Sequence, residues 1–400
     1  MIAAVLTALL AAVPALEPVD PPAAPGSLAP NLATTEGGDR AILSWLEPAR
    51  PGGKTGEGMM ALRVSAFDGR KWTAPATVAS GDRLFANWAD VPAVAADASG
   101  RLYAVWPEKS GAGDEDYGLE LARASSFGAP WRRLGALHEP GAGEHGFVSL
   151  LPEAGGVRAF WLDGREMRGD AGSMTLRTAF VADRAEASER LDTRVCDCCQ
   201  TSAAATSQGP IVVFRDRSEE EIRDVAAVRR AGGKWTASRR VAADGWKIAG
   251  CPVNGPAVAA RGKDVAVAWF TGENDRPRVS LAFSRDAGAT FGGAVPIDGA
   301  GPAGRVAVIL DTGGDAIVAW VASHAREGRL RVRRVSPDRG LGAPRTVAPI
   351  RLARSSGFPR IARLRDRLLV CWVDADEPSR LRAATLPLAG VPPPPAGKPR

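Results

Sequence analysis

The sequence has no long block of charge of one sign and no apolar run long enough to span a bilayer. Its net charge is +6, but acidic and basic residues are mixed along the chain, so it lacks the concentrated basic surface of a nucleic-acid-binding protein. We therefore expect no nucleic-acid partner. The apolar run at residues 1–15 is shorter than the roughly 20 residues of a membrane-spanning helix, so we expect no membrane span.

The same run predicts a signal peptide. Small residues at Val13 and Ala15 suit signal-peptidase cleavage, although a buried N-terminal segment is the alternative. Export predicts a periplasmic or secreted protein, in a compartment where disulfides persist. Residues 16–29, rich in Pro and Ala, are predicted to be a linker, and the Pro-rich residues 390–400 are predicted to be a disordered tail.

Helical periodicity is also missing. The 45 glycines and 31 prolines indicate many turns and short strands instead of long helices. One pattern recurs along the chain: a short apolar strand, a Gly or Asp turn, and a second strand that ends near an aromatic residue. These aromatic anchors follow one another at intervals of 51–61 residues: Trp45, Trp106, Trp161, Phe214, Trp269, Trp320 and Trp372.

Each anchor is followed by a loop, a third strand, a tight turn and a fourth strand. Four short strands per repeat predict an all-β fold, a β-propeller of four-stranded antiparallel blades. Seven anchors predict seven blades, with six as the alternative, in a single domain at residues 30–389. The last unit has no evident fourth strand, so an N-terminal strand could complete it and close the ring. We expect a monomer.

One turn carries a recognisable motif, SRDAGATF at residues 284–291, which matches the Asp-box pattern. Its aspartate can bond backbone amides, its glycine permits a positive φ, and its aromatic residue can fill the gap between neighbouring blades. We therefore assign it a structural role on the rim. The residues of the motif are Ser284, Asp286, Gly288, Thr290 and Phe291.

With this motif and its repeats, the chain resembles the sialidase superfamily of BNR-repeat propellers over roughly residues 28–390. The segments CDCCQTS, FRDRSEEEIRD and GCPVNGP are similar to those of bacterial secreted proteins labelled sialidase-like or exo-α-sialidase. The resemblance implies the fold and, for a hydrolase, a tyrosine nucleophile with a carboxylate partner, an aspartate acid/base and three arginines. A tyrosine nucleophile is expected late in the chain, whereas the two tyrosines are Tyr103 and Tyr117.

Four of the five cysteines fall in two short segments, VCDCCQTS (195–202) and GCPVNGP (250–256). In a propeller, the loop that enters the first strand of each blade lies on the same face as the loop between strands two and three. We call this the entry face, and both cysteine segments are predicted to meet there. The thiols and imidazoles predicted to share it are Cys196, Cys198, Cys199, Cys251, His138 and His145.

Three interpretations of these residues stay open. Export and an even number of cysteines favour disulfides that lock two blades together. Thiolates and imidazoles from several loops also suit Zn²⁺ or Cu(I), the only cofactors that we consider. The third interpretation is a reactive thiol activated by nearby positive charge. The fifth cysteine, Cys371, lies in an apolar strand and is expected to be buried and inert.

Charged and aromatic side chains are predicted on the same face. Arginine forks there can bind carboxylates or phosphates, and an indole can stack on a sugar ring. The candidate ligand-binding residues are Trp88, Arg215, Arg217, Arg223, Arg351 and Arg354. If the protein is a glycosidase, the candidate catalytic acids are Asp90, Glu219 and Glu220.

Three functional hypotheses follow. The first is an exported ligand-binding module that uses a Cys/His-rich entry face, either disulfide-locked or loaded with Zn or Cu, for a small polar or carbohydrate ligand. The second is a glycoside hydrolase similar to exo-α-sialidases that acts on acidic sugars. The third is a scaffold that binds another exported protein.

Overall fold

The computed structural model describes residues 14–50, 52–53, 58–110, 116–140, 143–167 and 172–395. Within them, seven antiparallel sheets form a closed ring, which confirms the predicted β-propeller and the count of seven blades. The only helical elements in this part of the chain are three short 3-10 turns, Glu273–Asp275, Arg354–Ser356 and Leu388–Gly390. None of the helices in these ranges has the length and apolar character needed to cross a membrane.

The strands are numbered in chain order, and the first one, β1 (Glu17–Pro18), belongs to the last blade. Blade 1 consists of β2 (Leu28–Thr34), β3 (Ala41–Pro48), β4 (Met60–Phe67) and β5 (Ala76–Gly81). Blade 2 consists of β6 (Ala93–Ala96), β7 (Leu102–Lys109), β8 (Tyr117–Ala124) and β9 (Arg132–Ala136). Blade 3 consists of β10 (His145–Glu153), β11 (Gly156–Asp163), β12 (Thr175–Val181) and β13 (Glu189–Asp192).

In two of the remaining blades the outer position is shared by two short strands. Blade 4 consists of β14 (Ser202–Thr206), β15 (Gly209–Arg215), β16 (Val225–Ala231), β17 (Lys234–Trp235) and β18 (Arg239–Arg240). Blade 5 consists of β19 (Ala257–Arg261), β20 (Asp264–Thr271), β21 (Arg278–Ser284) and β22 (Val295–Asp298). Blade 6 consists of β23 (Gly304–Leu310), β24 (Ala316–His324), β25 (Glu327–Ser336), β26 (Gly340–Leu341) and β27 (Arg345–Ile350). Blade 7 consists of β28 (Arg360–Leu364), β29 (Arg367–Asp374), β30 (Arg380–Pro387) and β1.

The hydrophobic core lies between neighbouring blades. One cluster, for example, joins Ile211 and Val213 of blade 4 to Val265 and Trp269 of blade 5. The second strand of a blade is therefore covered on both faces, and every residue of β3 and of β11 is buried. This explains why the second strands appear in the sequence as continuous apolar runs and not as alternating ones.

Most of the aromatic anchors at the ends of the second strands combine burial with one polar contact. An indole N–H cannot be left unpaired in a core without cost, and here it donates to a carboxylate. The indole–carboxylate pairs are Trp45–Glu47, Trp106–Glu108, Trp161–Asp163, Trp269–Asp244 and Trp320–Asp298, with distances of 2.6–3.1 Å. In the last two pairs the acid comes from the preceding blade, so the contact also joins two blades.

An N-terminal strand closes the ring, as expected from the missing fourth strand of the last unit. Strand β1 pairs antiparallel with β30, with Glu17 opposite Thr385. The residues that follow continue the contact, since the Trp72 indole donates to the Val19 carbonyl at 2.6 Å and Asp20 accepts from the Ala383 amide at 3.0 Å. The predicted linker at 16–29 is thus wrong in this respect: the segment is part of blade 7 and of the start of blade 1.

The chain ends need a second correction. The predicted tail at 390–400 begins within the fold, because Val391 is fully buried and its carbonyl accepts from Arg334 Nε at 3.3 Å. Residues 396–400 lie outside the described residues. The same is true of residues 1–13, and therefore of most of the predicted signal peptide at 1–15.

The Asp-box motif forms the turn between β21 and β22. Asp286 accepts from the Thr290 hydroxyl at 2.6 Å and its amide at 2.9 Å, and from the Ser284 hydroxyl at 2.7 Å. Gly288 has a φ of +79°, which a residue with a side chain rarely adopts. Phe291 packs against the core between blades 4 and 5. These contacts are all within the turn and the core, away from the entry face.

Candidate functional site

The loop that enters blade 4 is fastened to the hairpin loop of the same blade. Val195 forms an isolated bridge with Asp216, and the Cys196 amide donates to the Arg215 carbonyl at 2.9 Å. The hairpin loop at 216–224 closes on itself, because the Asp216 amide donates to the Asp224 carbonyl at 2.9 Å. The cysteine loop therefore lies directly against the charged hairpin on the entry face.

Three sulfurs of this loop lie together, and we call Cys196, Cys198 and Cys199 the sulfur cluster. The Sγ of Cys196 lies 3.7 Å from that of Cys198 and 3.6 Å from that of Cys199. Cys196 and Cys199 are each 1% exposed, whereas Cys198 is half-buried. All five cysteines of the protein are free thiols in this structure. Such separations are much longer than the S–S bond of a disulfide, about 2.05 Å.

Cys251 reaches the edge of the sulfur cluster from the loop that enters blade 5. Its Sγ, the Sγ of Cys198 and a carboxylate oxygen of Asp197 all lie within 4.8 Å of one another. The Sγ of Cys251 is 3.8 Å from Asp197 Oδ1, and the Cys251 side chain is exposed. Ring closure thus brings together two thiol-bearing turns that are about fifty residues apart in the sequence.

A buried guanidinium contacts the sulfur cluster. Arg223 Nη1 donates to the Sγ of Cys196 at 3.1 Å, and the Arg223 side chain is 3% exposed. The same guanidinium lies 3.6 Å from Asp197 and 2.7 Å from Glu221. Hydrogen bonds and positive charge both favour a thiolate over a thiol.

Arg215 adds a second buried cation, but it is not available to a ligand as predicted. It is 1% exposed and donates to the carbonyls of Asn254, Arg223 and Phe270 at 2.6–3.1 Å. Its guanidinium also lies 5.0 Å from the ring centre of Trp246. Arg215 therefore holds the loops around the sulfur cluster in place, and its charge favours ionisation of the cluster.

The three sulfurs share their protons unequally. Hydrogen bonds from the Cys198 and Cys199 thiols, together with Arg223, lower the pKa of Cys196. The same contacts with Cys196 raise the pKa of Cys198, while burial raises the pKa of Cys199. Burial also raises the pKa of Cys251. These contacts therefore favour ionisation at Cys196 over ionisation at Cys198 or Cys199.

Asn254 and Gln200 fix the cluster to its surroundings, the first through its main chain and the second through its side chain. The Asn254 amide donates to the Sγ of Cys199 at 3.4 Å. Gln200 joins three blades, since its Nε2 donates to the Ala89 carbonyl at 2.8 Å and its Oε1 accepts from the Gly255 amide at 3.1 Å. The sulfur positions are set by these buried contacts and not by the loop alone.

The two predicted histidine ligands are paired with each other instead of with the sulfurs. The rings of His138 and His145 stack at 3.7 Å between centres with an angle of 3°. Burial lowers the pKa of both, that of His145 to about 4, so both are neutral at pH 7. Among the described residues, the groups of side chains close enough to share a metal ion contain Cys and Asp but no His. The expected Cys/His cluster is therefore a Cys/Asp cluster.

Most charged side chains of the hairpin loop at 216–224 contact one another or the adjacent cysteine loop. Arg217 forms an ion pair with Glu221 at 2.9 Å and lies 3.4 Å from Asp197. The candidate catalytic residues Glu219 and Glu220 are exposed at its tip, and Glu220 accepts from the Ser218 hydroxyl at 2.9 Å. Of the predicted arginines in this loop, Arg217 is partly exposed and points its charge at the acids beside the sulfur cluster.

The third candidate acid, Asp90, lies elsewhere on the entry face, in a set that we call the acid network: Asp90, Tyr117 and Glu144. Asp90 is 0% exposed, and its Oδ1 accepts from the Phe147 amide at 2.7 Å. Its Oδ2 has no hydrogen-bond partner in the described part of the chain. Burial, with the nearby Glu144 charge, raises the pKa of Asp90 to about 8. The Tyr117 hydroxyl donates to Glu144, and burial raises its pKa as well.

The remaining predicted ligand-binding residues do not converge. The ring of Trp88 is half-buried, stacks on Phe358 at 6.0 Å and lies under the Arg305 guanidinium at 5.4 Å. Arg351 and Arg354 are exposed in the loop before blade 7, where Arg351 pairs with an aspartate of the same blade. These contacts cover part of the Trp88 ring. Arg351 and Arg354 are also far from the sulfur cluster in the sequence.

Three residues of this face were not predicted from the sequence. Asp197 is the second residue of the motif CDCC, so its position was visible, but a carboxylate ligand was not considered. Asn254 lies three residues after Cys251 and contacts Cys199 through its main-chain N–H. Any residue except proline has such a group, so the contact cannot be predicted from the residue type. Tyr117 is one of the two tyrosines of the sequence, but its contact with Glu144 depends on the packing of blade 2 against blade 3.

Comparisons with known proteins address the fold. No protein-family model matches the chain, and no curated protein matches it. Among solved structures, a protein of unknown function from Dyadobacter fermentans is 14% identical, with a TM-score of 0.53, and the match covers 93% of this chain and 98% of that chain.

Two glycosidases are among the other similar solved structures. The α-L-arabinofuranosidase of Fusarium graminearum, solved with arabinobiose, is 13% identical with a TM-score of 0.51, covering 94% of this chain and 98% of that chain. The NanB sialidase of Streptococcus pneumoniae is 14% identical with a TM-score of 0.48, covering 94% of this chain and 70% of that chain. At these identities the comparisons show a shared fold alone, the β-propeller.

Proposed function

We propose that this protein is an exported β-propeller that binds a soft metal ion, Cu(I) or Zn²⁺, through Cys196, Cys198 and Cys199. The spacing of the sulfurs carries the proposal, since Cys196 Sγ lies 3.7 Å and 3.6 Å from the other two. Thiolates that bind a tetrahedral metal at about 2.3 Å lie about 3.8 Å from one another. The sulfur cluster therefore has almost the dimensions that such an ion requires.

The charges around the cluster support the same proposal. Three thiolates around Cu(I) or Zn²⁺ leave a net negative charge in a buried position, which is costly unless cations lie nearby. Arg223 donates directly to Cys196, and the buried Arg215 lies behind the loop. Soft thiolate ligands favour Cu(I) and Zn²⁺ over the hard ions Mg²⁺ and Ca²⁺.

A disulfide-locked cluster is the competing form of the same hypothesis. To form a bond, two sulfurs of the cluster have to approach by about 1.6 Å, to the disulfide distance of about 2.05 Å. Cys196 and Cys198 are two positions apart, and Cys198 and Cys199 are adjacent, so a bond between either pair closes a small ring. We favour metal binding because it needs no such movement.

The test is a metal titration combined with thiol counting on the full chain. Reduced, metal-free protein is titrated under anaerobic conditions with Cu(I) buffered by bicinchoninate, and separately with Zn²⁺. We expect tight binding of at least one of the two ions, and protection of the cluster thiols from alkylation measured by intact mass. Cys196→Ala should weaken binding by more than about 100-fold, because a direct ligand is worth more than the 10–100-fold of an outer-shell residue.

Cys371→Ala is the matched control, since it removes a buried thiol in blade 7, far from the cluster in the chain. It should bind metal like the unaltered protein. The proposal fails if neither ion protects the thiols. It also fails if protein purified without reductant contains disulfides among these cysteines and binds no metal.

Glycoside hydrolysis is the second candidate. The observation that favours it is the contact of the Tyr117 hydroxyl with Glu144 beside Asp90, which provides a tyrosine, a carboxylate partner and an aspartate. Tyr117 is only 4% exposed, so a sugar could reach it only if the entry loops open. Turnover of a fluorogenic sialoside or arabinofuranoside that is lost in Tyr117→Phe would support this candidate. Absence of turnover on both substrates would exclude these two activities.

A further inference from the structure

Two sets of possible metal ligands on the entry face have one atom in common, the Sγ of Cys198. Cys196, Cys198 and Cys199 form one set with all ligand atoms within 4.8 Å, and Asp197, Cys198 and Cys251 form another. Cys198 belongs to both sets. We propose that the site holds two soft metal ions, bridged by the Cys198 thiolate; this inference rests on the proposed metal-binding function.

The two sets differ in depth. Cys196 and Cys199 are each 1% exposed, so the inner ion would be enclosed by sulfur. Cys251 is exposed, and Asp197 is 24% exposed, so the outer ion would be bound at the surface by two sulfurs and one oxygen. An exposed outer set offers the route by which ions reach the inner one.

One ion is a poorer fit to the four cysteines than two. In a single tetrahedral site, every pair of sulfurs lies about 3.8 Å apart. Cys251 is close to Cys198 and Asp197, but it shares no set with Cys196 and Cys199. A thiolate sulfur has lone pairs for two metal ions, so one cysteine can bridge two soft ions. Bridging uses all four thiols without moving the loop that enters blade 5.

Asp197 is held in a suitable position by cations. Its Oδ2 lies 3.4 Å from Arg217 Nη1, and its Oδ1 lies 3.6 Å from Arg223 Nη1. These guanidiniums orient the carboxylate toward Cys251 and offset the negative charge that four thiolates and a carboxylate bring to two monovalent ions. Removing Asp197 should therefore weaken the outer ion and leave the inner ion in place.

The experiment measures stoichiometry in the full chain. Metal-free protein is titrated anaerobically with bicinchoninate-buffered Cu(I), and the loaded protein is examined by X-ray absorption for metal–metal scattering. We expect two ions per chain with metal–metal scattering. Cys251→Ser should bind one ion, with no metal–metal scattering and an affinity for that ion within about threefold of the unaltered protein.

Two further variants separate the possible outcomes. Cys198→Ser removes the bridge and should lower the affinity of both ions, whereas Cys371→Ala should retain both. Circular dichroism and thermal unfolding verify that each variant is folded. One ion per chain in the unaltered protein, unchanged in Cys251→Ser, would overturn the two-ion inference and leave the proposed function standing. No bound ion in any protein would overturn both.

Discussion

Two buried groups of ionisable side chains lie on the same face of the ring, and they have opposite electrostatic surroundings. The sulfur cluster at blades 4 and 5 is contacted by the Arg223 guanidinium, with Arg215 behind it. The acid network at blades 2 and 3 has no arginine or lysine ion pair with Asp90 in the described residues. Burial penalises charge in both places, and at the sulfur cluster the Arg223 guanidinium offsets part of the penalty.

The difference shows which region is prepared to hold a charged species. Hydrogen bonds with the Cys198 and Cys199 thiols, together with the Arg223 charge, lower the pKa of Cys196, which favours negative charge on the sulfur cluster. Asp90 keeps its proton, with a pKa of about 8, because burial and Glu144 both oppose its ionisation. The sulfur cluster therefore has the properties of a binding site, whereas Asp90 has those of a protonated acid in a packed core.

The largest loss of stability is expected when Arg215, behind the sulfur cluster, is replaced. Arg215→Met should lower the free energy of unfolding by about 3–5 kcal/mol, because three main-chain carbonyls lose their donor and each costs about 1–3 kcal/mol when left unpaired. Urea unfolding measures the change. The exposed Arg351→Met is the control and should change stability by no more than about 0.5 kcal/mol. A loss below about 1 kcal/mol in Arg215→Met would show that the buried guanidinium is not needed to hold the loops.

The protonated state of Asp90 is tested by the pH dependence of stability. Its carboxyl has a pKa of about 8 in the folded protein and an ordinary value of 3.8. Below about pH 4 it is protonated in both states; as the pH rises to about 8, only the unfolded chain releases the proton, so stability falls. Asp90→Asn should remove this slope, which amounts to roughly 5 kcal/mol of lost stability between pH 4 and pH 8, and should be more stable than the unaltered protein at pH 8.

The control for that experiment is Glu219→Gln, which alters an exposed acid at the hairpin tip. It should leave the pH profile of unfolding unchanged. If the Asp90 carboxyl is ionised in the folded protein, Asp90→Asn will give no gain in stability at pH 8. That outcome would remove the contrast between the two regions.

The fold was predictable because its signals repeat. Seven aromatic anchors and one Asp-box turn are enough to give the blade number, and the missing fourth strand of the last unit predicted the closing strand β1. The linker prediction for residues 16–29 failed because a two-residue strand such as Glu17–Pro18 has no pattern of its own. Its pairing with Thr385 is set only when the ring closes.

The site was predictable only as far as topology reaches. Topology places Cys251 near Cys198, because the loop of Cys198 enters blade 4 and the loop of Cys251 enters blade 5 on the same face. It does not specify distances within the face, so His138 and His145 were grouped with sulfurs although they stack on each other. Side-chain packing decides those contacts, and a single sequence carries little information about packing between distant residues.

The smallest expected effect concerns the hydrogen bond from Tyr117 to Glu144 in the acid network. Tyr117→Phe removes the hydroxyl that donates to Glu144 and should lower the free energy of unfolding by about 1 kcal/mol. Tyr103→Phe is the matched control, since the Tyr103 hydroxyl is buried without a hydrogen-bond partner in the described residues and its loss should be neutral or slightly stabilising. Thermal unfolding at pH 6 compares the two variants. Equal effects would mean that the acid network gains nothing from its internal hydrogen bond, and that burial alone sets its protonation.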